Sequence, residues 1–162
     1  MLPQIKKILY ATDLSKNAQY AFSYAISMAK TYDAKITILH AVEESSFQSV
    51  SMVADYLGEA EWQILKKNRR KEVEDEINKR LKEYSKKHDL ELSGSSGVCE
   101  KTILKGGNPA TVILNEAKNE YDMVIMGTHG HGIFEDALLG NTARRVIRLC
   151  QKPVLVIRIP ED

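Results

Sequence analysis

The residues best suited to chemistry lie between Met126 and Thr142, where the chain reads Met-Gly-Thr-His-Gly-His-Gly and, beyond Leu139, Gly-Asn-Thr. Glycine reaches positive φ and lets a ligand approach the main chain, so Gly127, Gly130 and Gly132 can turn their N–H groups inward as an anion-binding nest that includes Thr128. Gly140, Asn141 and Thr142 open an amphipathic helical pattern. The first N–H groups of a helix lack intrahelical partners and carry the positive end of its dipole. A nest followed by a helix start makes a cradle for a polyphosphate. His129 and His131 form a His-x-His pair that offers a transition metal two ligands, with no third fixed by spacing. The other reading places both histidines beside the phosphates as loop side chains. The chain has no Gly-x4-Gly-Lys-Ser/Thr loop and no kinase motif set, and no lysine lies inside the glycine segment.

Such a cradle needs a strand to deliver it and a second wall to face it. Tyr121 to Met126 is a short apolar run ending at glycine, the pattern of a buried parallel strand. Lys7 to Thr12 is β-prone, and Asp13-Leu14-Ser15 supplies N-cap residues, which places the first strand-to-helix junction near Asp13. Ala18, Ala21, Phe22, Ala25 and Ala29 then recur at helical spacing as a face of small residues that packs close to a sheet. Lys35 to Val42 reads as a second strand, with His40 near its end as a structural histidine.

From Met52 to His88 a charged helical pattern follows, broken at Gly58, with Val73, Ile77, Leu81 and Tyr84 on one apolar face. Its lysines and glutamates read as a solvated face, and Trp62 as partly buried. Ser93 to Gly97 has the composition of a loop and is too short for a domain linker. Val98 to Lys105 is a third strand. Gly106-Gly107 is either a second phosphate loop or the tight turn into a helix with Asn108 as N-cap, Pro109 at its first position and Ala110, Ile113, Leu114 and Ala117 on its buried face. After Gly140, Ala143, Val146, Ile147 and Cys150 line one side of a helix that Lys152-Pro153 stops, and Val154 to Ile157 is a fifth strand.

Strands alternating with helices predict an open, doubly wound, parallel five-stranded α/β sheet of order 3-2-1-4-5, with helices on both faces. Ligands of such sheets bind beyond the carboxyl ends of the strands where the strand order reverses, here between the first and fourth strands. Asp13 and the glycine segment are both expected there. A dinucleotide-binding fingerprint belongs after the first strand, where this chain has Ala-Thr-Asp-Leu-Ser, and a phosphoacceptor receiver needs an aspartate ending the third strand, where it has Lys105-Gly106-Gly107.

Composition narrows the partners. The 162 residues suit one domain spanning 1–162, and a net charge of +1 offers no track for nucleic acid or an acidic membrane surface. Neither a membrane-spanning run nor a signal peptide is recognisable, which predicts a cytoplasmic protein. Cys99 and Cys150 lie far apart and outside any Cys/His cluster, so they read as reduced structural thiols.

Lys7-Ile-Leu-Tyr-Ala-Thr-Asp13, His40-Ala41-Val42, Gly127-x2-Gly130-x9-Gly140 and Lys152-Pro-Val-Leu-Val156, in that order, resemble the universal stress protein family over essentially the whole chain. The resemblance implies a doubly wound domain, a homodimer and, in its nucleotide-binding branch, bound ATP with Mg2+ (or Mn2+). Positions matching Ala11, Thr12, Asp13 and Ala41 would surround adenine and ribose. Those matching Met126, Gly127, Thr128, His129 and Gly130, with Gly140, Asn141 and Thr142, would hold ribose and phosphates, and His131 and Gly132 belong to the same loop. Asp13 either caps the first helix or bonds a ribose hydroxyl or serves as an outer magnesium ligand. Two positions depart from the family pattern. Asn141 stands where ATP binders carry Ser or Thr, although a carboxamide also donates to phosphate oxygens. Ala11 stands where proline is frequent.

Three functional classes follow: a nucleotide-dependent regulator in the stress response, a slow ATPase, and a nucleotide-free interaction module, which Asn141 favours. The regulator fits best, because the sequence offers little to neutralise charge at a γ-phosphate. Val154 to Ile159, as an apolar edge strand, is the expected homodimer contact.

Overall fold

The structure is a computed structural model that describes residues 1–15, 18–42, 55–128 and 139–158. Its elements run β1 (Lys7–Thr12), α1 (Ala18–Tyr32), β2 (Lys35–Val42), α2 (Glu59–His88), β3 (Cys99–Gly106), α3 (Pro109–Glu116), β4 (Met123–Gly127), α4 (Asn141–Leu149) and β5 (Val154–Ile157). All neighbouring strands are parallel, in the order β3-β2-β1-β4-β5, as the alternation of elements predicts.

Successive residues of the central strand enter two cores. Ile8 and Tyr10 join Phe22, Ala25 and Ile26 of α1 and Ile77 and Leu81 of α2, whereas Leu9 and Ala11 join Ala110 and Ile113 of α3 and Val146 of α4. Burial on both faces explains why the central strands β1 and β4 carry consecutive apolar residues. Asp122 pins the start of β1: its Oδ2 accepts the main-chain N–H groups of Lys6 and Lys7 at 2.7 and 2.8 Å.

Gly58, at φ 88°, separates α2 from a helical turn over 55–57, as its position in the charged pattern predicts. Ile77 and Leu81 are buried and Val73 and Tyr84 pack on them. At 30 residues, α2 is about 45 Å long, roughly twice the length of a β-strand here, so its first half runs past the sheet and residues 63–72 are all exposed. Trp62 is half-buried within that half. The Ser93 to Gly97 segment is a held turn: Gly97 is buried against the Leu92 main chain, and its carbonyl accepts from Lys35 Nζ at 2.6 Å.

Of the two readings of Gly106-Gly107, the structure bears out the turn. Gly107 sits at φ 134°, its N–H donates to the Val42 carbonyl at 3.0 Å, and Asn108 Oδ1 caps Thr111 N–H at 3.2 Å ahead of Pro109. The strand expected from Tyr121 begins at Met123. Tyr121 instead turns its hydroxyl onto Glu116 at 3.1 Å, and that carboxylate, only 4% exposed, also accepts from Asn119 at 3.1 Å and Lys105 at 2.5 Å. Ile147, expected on the buried side of α4, is 48% exposed, because the buried line runs through Ala143 and Val146 and the next residue lies about 100° around the helix. Cys99 and Cys150 are free thiols, and burial pushes Cys99 up to about 12. No helix among the described residues is long and apolar enough to cross a membrane.

Candidate functional site

β1 lies between β2 and β4, and the crossovers on its two sides cover opposite faces of the sheet: α1 packs in the core shared with α2, and α3 in the core shared with α4. The connections therefore part above the carboxyl ends of β1 and β4, where open α/β sheets bind ligands. Register sets the floor of that opening. Ala11, 8% exposed, stands opposite Met126, 5% exposed, and Thr12 stands opposite His40 on the other side. His40 Nδ1 donates to the Thr12 carbonyl at 2.8 Å, which ties the ends of β1 and β2 and places half-buried Ala41 beside them. This is the structural role expected for that histidine.

Asp13 follows directly in a compact turn. Its Oδ1 accepts Ser15 N–H at 2.9 Å, its Oδ2 is buried, and Thr12 Oγ1 accepts Leu14 N–H at 3.1 Å. Ser15 Oγ accepts Ala18 N–H at 3.2 Å, so Ser15 bonds the first residue of α1 and Asp13 shapes the turn ahead of it. Leu14 adopts φ 62°, a left-handed conformation unusual for a branched, bulky residue.

The facing wall comes from β4 and α4. Gly127 pairs with Ile157, and the Thr128 N–H extends the ladder by donating to the Ile157 carbonyl at 3.0 Å. Thr128, 6% exposed, accepts Gly140 N–H on its own carbonyl at 2.8 Å, and Gly140 in turn accepts the first helical bond of α4, from Arg144 N–H at 2.9 Å. Gly140, exposed Asn141 and half-buried Thr142 are thereby held beside Gly127 and Thr128. His129, Gly130, His131 and Gly132 lie outside the described residues, and so does the His-x-His metal question. Among the described residues no cluster of three His, Cys, Asp or Glu side chains could hold a metal.

One participant carries no sequence signal. Arg80 of α2 reaches across to the Asp13 turn, where its Nη1 donates to the Leu14 carbonyl at 2.5 Å while its Nε donates to Glu76 at 2.7 Å. Beneath Leu14, on the α1 and α2 side of the sheet, lies an apolar cavity of about 50 Å3 bordered by Tyr10, Phe22, Ile38, Leu81 and Tyr84. The Tyr10 hydroxyl donates to the Ala18 carbonyl at 2.7 Å, and burial pushes that phenol up. In the sequence, Arg80 is one cation among many on a charged helix.

Fold and strand ends together define a doubly wound α/β domain whose ligand edge lies at the reversal between β1 and β4. The family model for the universal stress protein family matches residues 4–158, and the chain belongs to that family. Universal stress protein MJ0577 of Methanocaldococcus jannaschii is 32% identical over 160 residues, covering 94% of either chain. The solved structure of MJ0577 superposes with a TM-score of 0.75 at 25% identity, over 99% of this chain and 100% of that one. Universal stress protein UspA from Lactobacillus plantarum has the same fold, with a TM-score of 0.73 at 22% identity over 97% and 100% of the two chains. So does a universal stress protein crystallised in complex with cAMP, with a TM-score of 0.58 at 18% identity over 96% and 98%.

Proposed function

We propose that the chain is a single-domain, ATP-binding regulator of the stress response that acts in the cytoplasm. The observation that carries this reading is the meeting, at the β1/β4 reversal, of the Thr12-Asp13 turn with Gly127-Thr128 and with the start of α4, joined through the Gly140 to Thr128 hydrogen bond. Ala11, Ala41 and Met126 form a small apolar wall that suits adenine, and Asp13 stands where a ribose would need an acceptor. His129, Gly130, His131 and Gly132 complete the phosphate loop, with the main chain of Gly140, Asn141 and Thr142 closing it. The cAMP complex of a relative with this fold supports an adenine nucleotide as the occupant.

Asp13 fits an outer magnesium role better than direct ligation. Oδ1 already accepts the Ser15 N–H, so the phosphates would be the direct ligands of an Mg2+ or Mn2+ ion and Asp13 would act on it only from outside that set. The chain dimerises through the β5 edge, Val154 to Ile159. The opposite edge, β3, carries Glu100, Lys101 and Lys105, which blunt it, whereas Val154 to Ile157 has no charge and lies only half-covered at three of its four residues. Light scattering at micromolar concentration is expected to give a dimer, and a monomer would remove this part of the reading.

Asn141 favours the second reading, a nucleotide-free interaction module, because its exposed side chain replaces the hydroxyl of the family's ATP binders at the first position of α4. Denaturing freshly purified protein and analysing the supernatant by mass spectrometry separates the two. Released adenine nucleotide supports the regulator, and its absence supports the module.

A further inference from the structure

We propose that Arg80 is a positioning residue that couples helix α2 to the nucleotide site through the Leu14 carbonyl; the proposal rests on the ATP reading above. The turn that presents Asp13 passes through Leu14 at φ 62°. A leucine there pays a steric penalty that glycine would not, so the conformation persists only where its surroundings hold it. Packing supplies only part of that hold: Leu14 packs against the core shared by α1 and α2, but it also borders a cavity of about 50 Å3. Directional bonds supply the rest. Thr12 Oγ1 accepts the Leu14 N–H at 3.1 Å, and the Leu14 carbonyl accepts from the Arg80 guanidinium at 2.5 Å. The second of these is charge-assisted and comes from another element.

Glu76, one helical turn before Arg80, orients the guanidinium through Nε at 2.7 Å, and the Arg80 side chain is only one-third exposed. Arg80 thus spans from α2 to the residue adjoining Asp13. It is also the point at which the helix passes the carboxyl end of β1, with its exposed first half running on beyond the sheet. Without Arg80, Leu14 relaxes toward ordinary φ and carries Asp13 out of register with Gly127 and Gly140. Linkage makes the coupling reciprocal: a nucleotide that binds the held form of the turn must tighten the docking of α2 by the same factor. Nucleotide occupancy is thereby transmitted to α2, whose residues 63–72 are exposed and open to a partner that would read it.

The test uses the full chain. Calorimetric titration with MgATP is run on wild type, Arg80→Ala, Arg80→Lys and Glu76→Ala at 25 °C, with amide hydrogen exchange of α2 measured with and without MgATP. Arg80→Ala is expected to bind roughly tenfold more weakly, within the usual range of coupling between sites. Arg80→Lys should recover part of the loss, because an ammonium reaches one acceptor but not two. Glu76→Ala should weaken binding roughly threefold, a milder change that still reads the coupling if Arg80→Ala folds poorly. MgATP should slow exchange around Ile77 and Leu81 in wild type and not in Arg80→Ala. A merely structural Arg80 would lower Tm and leave affinity at 25 °C unchanged. Wild type that binds MgATP while Arg80→Ala and Glu76→Ala bind equally well overturns the coupling alone, as does α2 exchange indifferent to MgATP in wild type. Wild type that binds no MgATP overturns the site reading, and the coupling with it.

Discussion

Glu116→Ala should be among the most destabilising single changes outside the strands. The carboxylate is 4% exposed and gathers three donors from separate parts of the chain: Lys105 at the end of β3, Asn119 in the following turn and Tyr121 before β4. Removing it leaves the buried Tyr121 hydroxyl without this acceptor, at a cost of about 1–3 kcal/mol, and forfeits the bonds from Asn119 and Lys105. The half-exposed Lys105 regains water, which limits its share. The sum is about 3 kcal/mol, or a fall in Tm of about 6–12 °C for a chain of this length. Glu116→Gln keeps an acceptor and loses the charge, so it should cost about 1 kcal/mol.

Burial by itself would raise the Glu116 carboxyl, but the bonds from Lys105, Asn119 and Tyr121 outweigh it and hold the group below its ordinary value of 4.5. A carboxylate depressed in the folded state stabilises the fold above that ordinary value and loses its contribution as pH falls through the lower folded value. The stability gap between wild type and Glu116→Gln should therefore be constant at neutral pH and shrink below 4.5. Urea denaturation followed by circular dichroism, at pH values on both sides of that point, measures both effects. Glu116→Ala within about 0.5 kcal/mol of wild type, or a gap that does not change with pH, would refute the reasoning.

Three further outcomes follow from the packing and the site. Gly97→Ala should destabilise by about 1–3 kcal/mol in urea melts, because its Cβ would lie 2.4 Å from the Leu92 carbonyl oxygen, a main-chain atom that cannot swing aside. Asp122→Ala should cost about 1–2 kcal/mol through loss of the two N–H bonds from Lys6 and Lys7, with MgATP affinity unchanged by calorimetry. Asn141→Ser should hold or raise MgATP affinity in the same titration, since the α4 main chain is kept and the family's hydroxyl restored; a large loss would show that the carboxamide itself contacts the ligand.

The fold was legible because its inner strands are buried on both faces. Lys7 to Thr12 is marked by its β-prone residues and Lys35 to Val42 by an alternation that turns apolar, and Asn108-Pro109 and Gly58 mark helix boundaries by local chemistry alone. Features set by packing between elements were not legible. Nothing in the sequence marks Glu116 for burial, and Lys105, Asn119 and Tyr121, three to eleven residues away, close on it only once β3, α3 and β4 are assembled. Ile147 looks like core because it adjoins Val146, but α4 meets the sheet along a single narrow line. At the site, Asp13 and the glycine segment that starts at Gly127 could be placed together from strand order alone, because a 3-2-1-4-5 sheet has one reversal, whereas Thr12 and Ala41 came only with the family resemblance. The left-handed Leu14 and its bond from Arg80 could not, since no residue type marks the first and the second spans 66 residues.

Calorimetric titration of nucleotide-stripped protein with MgATP shows whether the β1/β4 reversal is an ATP site. Saturable binding with one site per chain is expected, abolished by Gly130→Val while the circular dichroism spectrum stays that of wild type. Absence of any binding heat by the folded wild-type chain, or undiminished affinity in Gly130→Val, would contradict it.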